Sequence, residues 1–347
     1  MTTVGIVANP ASGKDIRRLV ARASVFDNPE KQAIVQRILA GIEGVLGSDG
    51  WRLAYLDDAH GIVRRAVAEV LGSGCPPERA LPVMGADTGS ALDTTRAARA
   101  LAALPSDVNI TLGGDGTNRA FVRGWHDALL IPLSTGTNNV FPRLLEATVA
   151  GAAAALVGAG LIPAASVSEQ QKIIRVQIDG EADDLALIDA VLVDERFVGA
   201  RALLTPENLR SALLTVADPA AVGITAIGGL ITPLARQADS GLLLEFGESE
   251  TMTRTVRAPI APGYYRNVVV GGSRTIDLRQ QVRCTGPGVL AFDGERERVL
   301  KPGQQAVLSV ERTGPRVIDV PATLRLAAEK GCFLTRNPAR TAVSGIN

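Results

Sequence analysis

Five short apolar runs, each followed by a stretch with helical spacing, occupy the first 160 residues. The runs are Val4 to Ala8, Arg52 to Leu56, Ala80 to Met84, Val108 to Leu112 and Leu129 to Leu133. Helical patterns are expected at Pro29 to Leu46, Ile62 to Leu71, Thr88 to Leu104, from Asn118 onward, and at Arg143 to Val157. In the first of these, Ile34, Ile38, Ile42 and Val45 share one face. Strands that alternate with helices pair in parallel, because the return crossing needs a covering helix. The expected fold of this half is an α/β domain with a parallel sheet.

The pattern changes near Ser166. From Lys172 onward, short β-rich segments are punctuated by Gly and Pro, as in an antiparallel β-sandwich. One interruption, Pro206 to Val216, has a helical pattern, and Pro321 to Lys330 reads as a last helix. The domains are accordingly expected at 1–165 (α/β, phosphate-binding), 166–320 (all-β sandwich) and 321–347. The third is a helix and tail packing back on the first domain. At 46% hydrophobic and 21% charged, the chain can give both halves a core.

Charge and aromatic content exclude several partners. Lys plus Arg and Asp plus Glu number 36 each, so no net field draws the chain to nucleic acid or an anionic membrane. Aromatic residues are 3%, too few for a platform that stacks single-stranded bases. The apolar run from Ala147 to Ala165 follows Glu146 and is broken by Pro163, which favours a packed core helix over a membrane span. The start, MTTVGIVANP, has no basic-then-apolar leader, and Cys75, Cys284 and Cys332 are scattered and odd in number. A cytoplasmic protein is expected. His60 and His126 are not at ligand spacing with any cysteine, so no zinc site is readable.

Three turns carry chemistry. In the first, Val108 to Leu112 runs into Gly113-Gly114-Asp115-Gly116-Thr117-Asn118 and then a helix. Glycine lets the backbone turn sharply beside a ligand, and a helix start offers unpaired N–H groups and a dipole that favour phosphate. A carboxylate among the glycines repels phosphate, so Asp115 must serve another purpose, either accepting a hydroxyl proton or holding Mg²⁺. The alternative is a tight βα turn with Asp115 as helix N-cap. The second turn is Thr135-Gly136-Thr137-Asn138-Asn139, whose hydroxyls and amides suit ribose and phosphate oxygens. The third is Asn9-Pro-Ala-Ser12-Gly-Lys14. It fails the P-loop pattern but is placed to line the same cleft, with Lys14 reaching a phosphate, unless it is simply a solvated loop. In open α/β sheets, ligands gather at the carboxyl ends of the strands, where all three turns fall.

The three turns together resemble the NAD kinase and diacylglycerol kinase superfamily, and most of all its ATP-NAD/AcoX kinase branch. The resemblance rests on Gly113 to Arg119, on Gly136 to Pro142 and on Leu290-Ala-Phe-Asp-Gly-Glu295. It implies ATP and Mg²⁺ as cofactors, NAD as a further ligand, a small-molecule or nucleotide acceptor, a link to acetoin catabolism and a homodimer. Asp115 would be the catalytic base or metal organiser, and Gly113, Gly114, Gly116, Thr117 and Gly136 to Asn138 would hold phosphate. The NAD kinases' Asn-Glu pair has its nearest match at Asp189, and their Thr-Gly-Ser-Thr-Ala-Tyr segment is replaced by Ile224 to Leu230. Those departures motivate a second reading, a nucleotide-binding accessory or sensor without turnover. Asp293 is either near the cleft, as the resemblance implies, or the centre of a plain Asp-Gly β-turn. Asp57-Asp58 is expected to cap the helix that follows.

Overall fold

The computed structural model describes residues 1–12, 26–86, 88–136, 138–194, 205–250 and 253–334. Lys14, Thr137 and the tail from 335 lie outside the described residues. The first half holds β1 (Thr2–Ala8), α1 (Asn28–Leu46), β2 (Trp51–Asp57), α2 (Ile62–Val70), β3 (Ala80–Gly85), α3 (Ala91–Ala103), β4 (Val108–Gly113), α4 (Asp115–Gly124), β5 (Leu129–Ser134) and α5 (Ala147–Gly158). After α6 (Ala164–Val167) come β6 (Ser168–Gln170), β7 (Ile173–Ile178), β8 (Asp184–Ala186), β9 (Asp189–Val193) and β10 (Leu209–Leu214). Then follow α7 (Ile224–Ile231), β11 (Ser240–Phe246), β12 (Arg254–Ala261), β13 (Tyr264–Asp277) and β14 (Gln281–Thr285). The last elements are β15 (Gly288–Phe292), β16 (Glu295–Leu300), β17 (Gln305–Glu311), β18 (Arg316–Ile318) and α8 (Val320–Glu329).

The first sheet has the order β3-β2-β1-β4-β5-β18-β6, and β1 to β5 are parallel throughout. Strand order reverses between β1 and β4, which is where doubly wound sheets open a ligand crevice. One face is covered by α1, α2, α5 and α8. Along α1 the buried residues Lys31, Ile34, Val35, Ile38, Leu39 and Ile42 follow helical spacing. The helix starts at Asp27, whose carboxylate accepts the Glu30 N–H at 2.8 Å. The other face takes α3 and α4, with Ala98, Leu101, Phe121 and Val122 fully buried or nearly so. The Ala-rich run is the buried helix α5, as expected.

Two helices of the first face touch backbone to backbone. A Cβ on Gly151 of α5 would stand 2.1 Å from the Ile38 carbonyl oxygen, and one on Gly41 of α1 would stand 2.1 Å from that of Thr148. Gly44, also on α1, has nothing within 4 Å. Helix propensity favours Ala over Gly at all three positions by roughly 1 kcal/mol. Gly44→Ala is therefore expected to raise stability by up to that amount. Gly151→Ala, which must pry the helices apart, is expected to lose about 1–3 kcal/mol. Urea unfolding of the two variants beside the parent reads the opposite signs.

The second half is an antiparallel sandwich. A seven-stranded sheet, β12-β13-β11-β10-β9-β15-β16, packs on a four-stranded one, β14-β17-β7-β8. Ile174, Val176, Leu192, Leu290, Phe292 and Leu308 lie in the core between them. The opposite face of the large sheet is covered by α7, through Ile224 and Ile227. Two expectations are corrected here. The stretch expected as a helix at 206–216 is a short 3-10 turn followed by β10, a central strand paired to both β9 and β11. The strands at 168–170 and 316–318, within the expected sandwich span, pair with each other, and β18 joins β5 of the first sheet. The chain thus leaves the α/β layer once and returns to finish it, with Val320 and Ala327 of α8 in the same core as α5.

Candidate functional site

The three turns do converge, and hydrogen bonds join them. Taken in chain order from here on, the first (residues 9–12) follows β1, the second (113–118) follows β4 and the third (135–141) follows β5. The Asn9 amide donates to Thr117 Oγ1 at 2.9 Å, and the Ser12 and Thr135 hydroxyls are 3.0 Å apart. Behind the first turn, the Lys31 ammonium is 1% exposed and donates to the carbonyls of Asn9, Pro10 and Ser12 at 3.0, 3.4 and 2.9 Å. Sequence reasoning missed Lys31, because its partners are carbonyls that no charge pattern reports. Lys31→Met leaves those part-buried carbonyls without this donor. The expected loss is about 2–3 kcal/mol, with faster amide exchange over residues 9–12.

The glycines of the second turn serve the turn itself. At Gly114 a Cβ would meet Asn139 Oδ1 at 2.7 Å, and at Gly116 it would meet Glu295 Oε1 at 2.9 Å. The space expected for phosphate beside these two backbones is therefore filled by the protein's own oxygens. Asn118, expected as a ligand contact, is instead fully buried. Its amide donates to the Gly114 carbonyl at 2.9 Å and its oxygen accepts from Thr111 at 2.6 Å. Thr117 and Thr135 are also buried and bonded to the neighbouring turn. These residues shape the site from behind. What suits an anion is the start of α4, where the N-cap, Gly114, supplies no side-chain cap and the positive end of the helix dipole lies. The exposed Glu295 carboxylate beside Gly116 already places negative charge there.

Asp115 is the first residue of α4 rather than its N-cap. Its carboxylate reaches into the third turn. It accepts the Val140 N–H at 3.1 Å on both oxygens and the Phe141 N–H at 2.7 Å. The Arg236 guanidinium holds the same turn from the sandwich side, donating to the Val140 carbonyl. Asn139 donates to Ser134 Oγ at 2.7 Å and to the Gly136 carbonyl at 3.3 Å, which closes the turn.

Beyond Asp115 a cleft opens between the two halves. Its lining includes Asp115, Asn138, Asp189, Asp293 and Gly294, together with Ile224, Thr225 and Ile227 of α7 and with Ile188 and Ile260. Its empty space, with the open solvent at its mouth included, is about 570 Å³. Asp293 satisfies both readings of its motif. With Gly294 it forms the two-residue turn between β15 and β16, both residues having positive φ, 51° and 84°. Its carboxylate nonetheless points inward, accepting the N–H groups of Leu187, Ile188 and Asp189 at 3.0, 2.7 and 3.3 Å. Burial pushes the Asp293 carboxyl up to about 7, against the pull of Arg119 and those N–H groups. Asp189, on β9, is buried at the cleft wall.

The cleft is braced by an ion cluster. Arg119, one turn after Asp115 on α4, donates to Asp184 at 3.0 Å and to the Leu185 carbonyl at 2.6 Å, and its guanidinium lies 4.9 Å from the Phe292 ring centre. Arg123 and Arg298 approach the same carboxylate at 3.3 and 3.0 Å. Burial alone would raise the Asp184 carboxyl. Arg119, the Leu185 N–H, Arg123 and Arg298 outweigh it and hold the group below the ordinary carboxylate range. The i, i+4 spacing of Asp115 and Arg119 puts both on one helix face, the signal that could have found Arg119. Away from the cleft, the N-cap of α2 is Gly61 rather than the expected Asp57-Asp58; Asp58, three residues earlier, accepts from the His60 and Ile62 N–H groups at 2.9 Å each. Among the described residues no group of three His, Cys, Asp or Glu has metal-holding geometry, and no helix is long and apolar enough to cross a membrane.

With this geometry in place, the comparisons with known proteins decide the family. Acetoin catabolism protein X of Cupriavidus necator is 36% identical over 333 residues, 93% of this chain and 92% of that protein. The chain belongs to the acetoin catabolism protein X family. Residues 172–313, most of the sandwich, match the family model of the acetoin catabolism protein X C-terminal domain. Among solved structures, the chain is similar to yeast NADH kinase complexed with NADH, with 12% identity, coverage of 97% of this chain and 89% of that one, and a TM-score of 0.48. It is also similar to a diacylglycerol kinase from Bacillus anthracis, with 10% identity, coverage of 92% and 97%, and a TM-score of 0.45.

Proposed function

We propose that this member of the family transfers the γ-phosphoryl group of ATP to a hydroxyl of a small molecule. The observation that carries the reading is the position of Asp115. It starts an α4 that has no side-chain cap, at the sheet's switch point, on the rim of the cleft between the two halves. Mg²⁺ carried in with the nucleotide would supply neutralisation of the phosphate charge. The α4 N–H groups would orient the phosphates. Asp115 would accept the proton of the acceptor hydroxyl as that oxygen takes the phosphoryl group and ADP leaves. Asn9, Ser12, Thr117, Thr135 and Asn139 keep the three turns in register, so that these groups meet at one place. NAD is a further ligand in this reading, with Asp189 meeting a ribose hydroxyl. The protein would work as a cytoplasmic homodimer on a metabolite, away from nucleic acid and membranes.

A second reading is a nucleotide-binding accessory or sensor without turnover. One observation favours it: the Asp115 carboxylate is already engaged by two backbone N–H groups. Thermal unfolding with ATP, ADP, NAD and NADH, each with and without Mg²⁺, tests the shared premise. A ligand at ~100 times its dissociation constant adds ~2.7 kcal/mol, a plain rise in melting temperature. The expected result is stabilisation by ATP that Mg²⁺ strengthens. If no nucleotide moves the transition, both readings fall.

A further inference from the structure

One peptide unit joins Asp115 to a cation of the sandwich half. The Phe141 N–H donates to the Asp115 carboxylate at 2.7 Å, and the carbonyl of the same peptide, that of Val140, accepts from the Arg236 guanidinium. A peptide drawn at its oxygen by a cation and at its hydrogen by a carboxylate is polarised from both ends, so each hydrogen bond strengthens the other. The Val140 N–H also donates to Asp115, at 3.1 Å. It belongs to the preceding peptide, whose carbonyl is not the one that Arg236 touches.

Arg236 is presented on a braced loop between α7 and β11. Lys172, 4% exposed, donates to the carbonyls of Ala235 and Ser240 at 3.3 and 2.8 Å. Arg312 donates to those of Gln237 and Ala238 at 2.9 and 3.0 Å. Lys172 stands just before β7 and Arg312 just after β17, where the chain crosses between the halves. The two crossings are tied to each other, since the Gln171 N–H donates to the Pro315 carbonyl and the Gly314 N–H to that of Gln171. At the other end of the peptide, the Phe141 ring is buried in one cluster with Leu187, Ile188 and Val216 of the sandwich half. Burial and the neighbouring Arg143 press the Arg236 guanidinium below its ordinary value, while Asp115 and Asp218 pull the other way. Asp115 thus acts on Arg236 through space as well as through the peptide.

We propose that Arg236 is a positioning residue for Asp115. By holding the Val140–Phe141 peptide it fixes the direction of the carboxylate at the cleft, and it makes that arrangement depend on the docking of the sandwich half. The use of the device rests on the phosphoryl-transfer reading, in which a fixed carboxylate meets the acceptor hydroxyl in one orientation. The device itself rests on the hydrogen bonds alone.

NMR of the full chain, labelled with ¹⁵N at Val and Phe, tests it. Arg236→Met keeps an unbranched stem and removes the charge and the donor. The expected signature is that the Phe141 amide proton moves upfield, its N–H being less polarised, while the Val140 amide proton moves less. A side chain that only packed would loosen the turn as a whole and move both alike. Arg236→Gln, with a neutral donor, is read in the same way and decides the matter if the methionine variant does not fold. The ATP-induced rise in melting temperature, measured with Mg²⁺, is expected to be the same in the variant as in the parent, because Arg236 acts on Asp115 and not on the nucleotide. A Phe141 resonance that stays in place, equal movement of Phe141 and Val140, or loss of the parent's ATP-induced rise overturns the proposal. If ATP with Mg²⁺ does not stabilise the parent and Phe141 still moves further than Val140, the positioning role stands and the phosphoryl-transfer reading falls.

Discussion

Arg119→Met is expected to lower folding stability by about 3–5 kcal/mol. The side chains of Arg119 and Asp184 are 4% and 2% exposed, so the substitution leaves a buried carboxylate short of its best-placed partner. Methionine keeps an unbranched aliphatic stem but loses the guanidinium that lies over the Phe292 ring, and the Leu185 carbonyl loses its donor. Arg123 and Arg298 still face Asp184 and are 39% and 35% exposed, which places the expected loss toward the lower end. The pH dependence has a definite sign. Asp184 is held below its unfolded value, so its contribution is present above the ordinary carboxylate pKa, near 4, and is lost as pH falls through the lower folded value. The gap between parent and variant should therefore be full at pH 7 and close progressively below about pH 4. Urea unfolding across that range measures it. A gap that stays constant down to pH 2 would mean that Arg119 acts through packing alone.

Asp115→Asn is the second large effect. Under the phosphoryl-transfer reading, losing the base is expected to slow transfer by about 10²–10⁴-fold while the ATP-induced rise in melting temperature remains. The variant also touches architecture. Asn keeps one acceptor oxygen for the Val140 and Phe141 N–H groups and turns its NH₂ toward the place of the other. A stability loss of about 1–2 kcal/mol should accompany it. The two roles separate in the assay. If turnover and nucleotide affinity fall together and only in proportion to stability, Asp115 is a brace and the sensor reading gains. Loss of turnover in a chain that still binds ATP identifies the base.

Much of the α/β half was legible because its apolar runs and helical stretches have different periods, and a parallel sheet must bury both faces. The meeting of the three turns followed from the same topology, since each ends a strand at one sheet edge. Leu209–Leu214 was not legible. Leu, Arg, Ser and Ala favour a helix locally, yet the segment sits between β9 and β11, where pairing on both sides outweighs propensity. Ile224–Ile231 gave no helical signal, because it is apolar on nearly every side and begins at Gly223 with φ 85°. The buried cations were hidden for another reason. A lysine or arginine reads as solvated surface until its acceptors are known. Those of Lys31 lie about twenty residues away, on the first turn, and those of Arg119 sixty-five residues away, across the cleft. Asn118 looked like a ligand contact because its side-chain chemistry suits one, and only packing shows it turned inward.

The return of β18 and α8 to the first sheet has a consequence for synthesis. On the ribosome the α/β half emerges first, but its seventh and sixth strands in space, β6 and β18, and the α8 cover over α5 come from residues 168–170 and 316–329. The intervening sandwich is complete once β17 has emerged at Glu311. Completion therefore runs opposite to translation, with the later half closing before the earlier one. A nascent chain paused between these points carries Leu129–Ser134 as an open edge, its main-chain groups awaiting β18. That interval is when the chain is most exposed to pairing with a stranger.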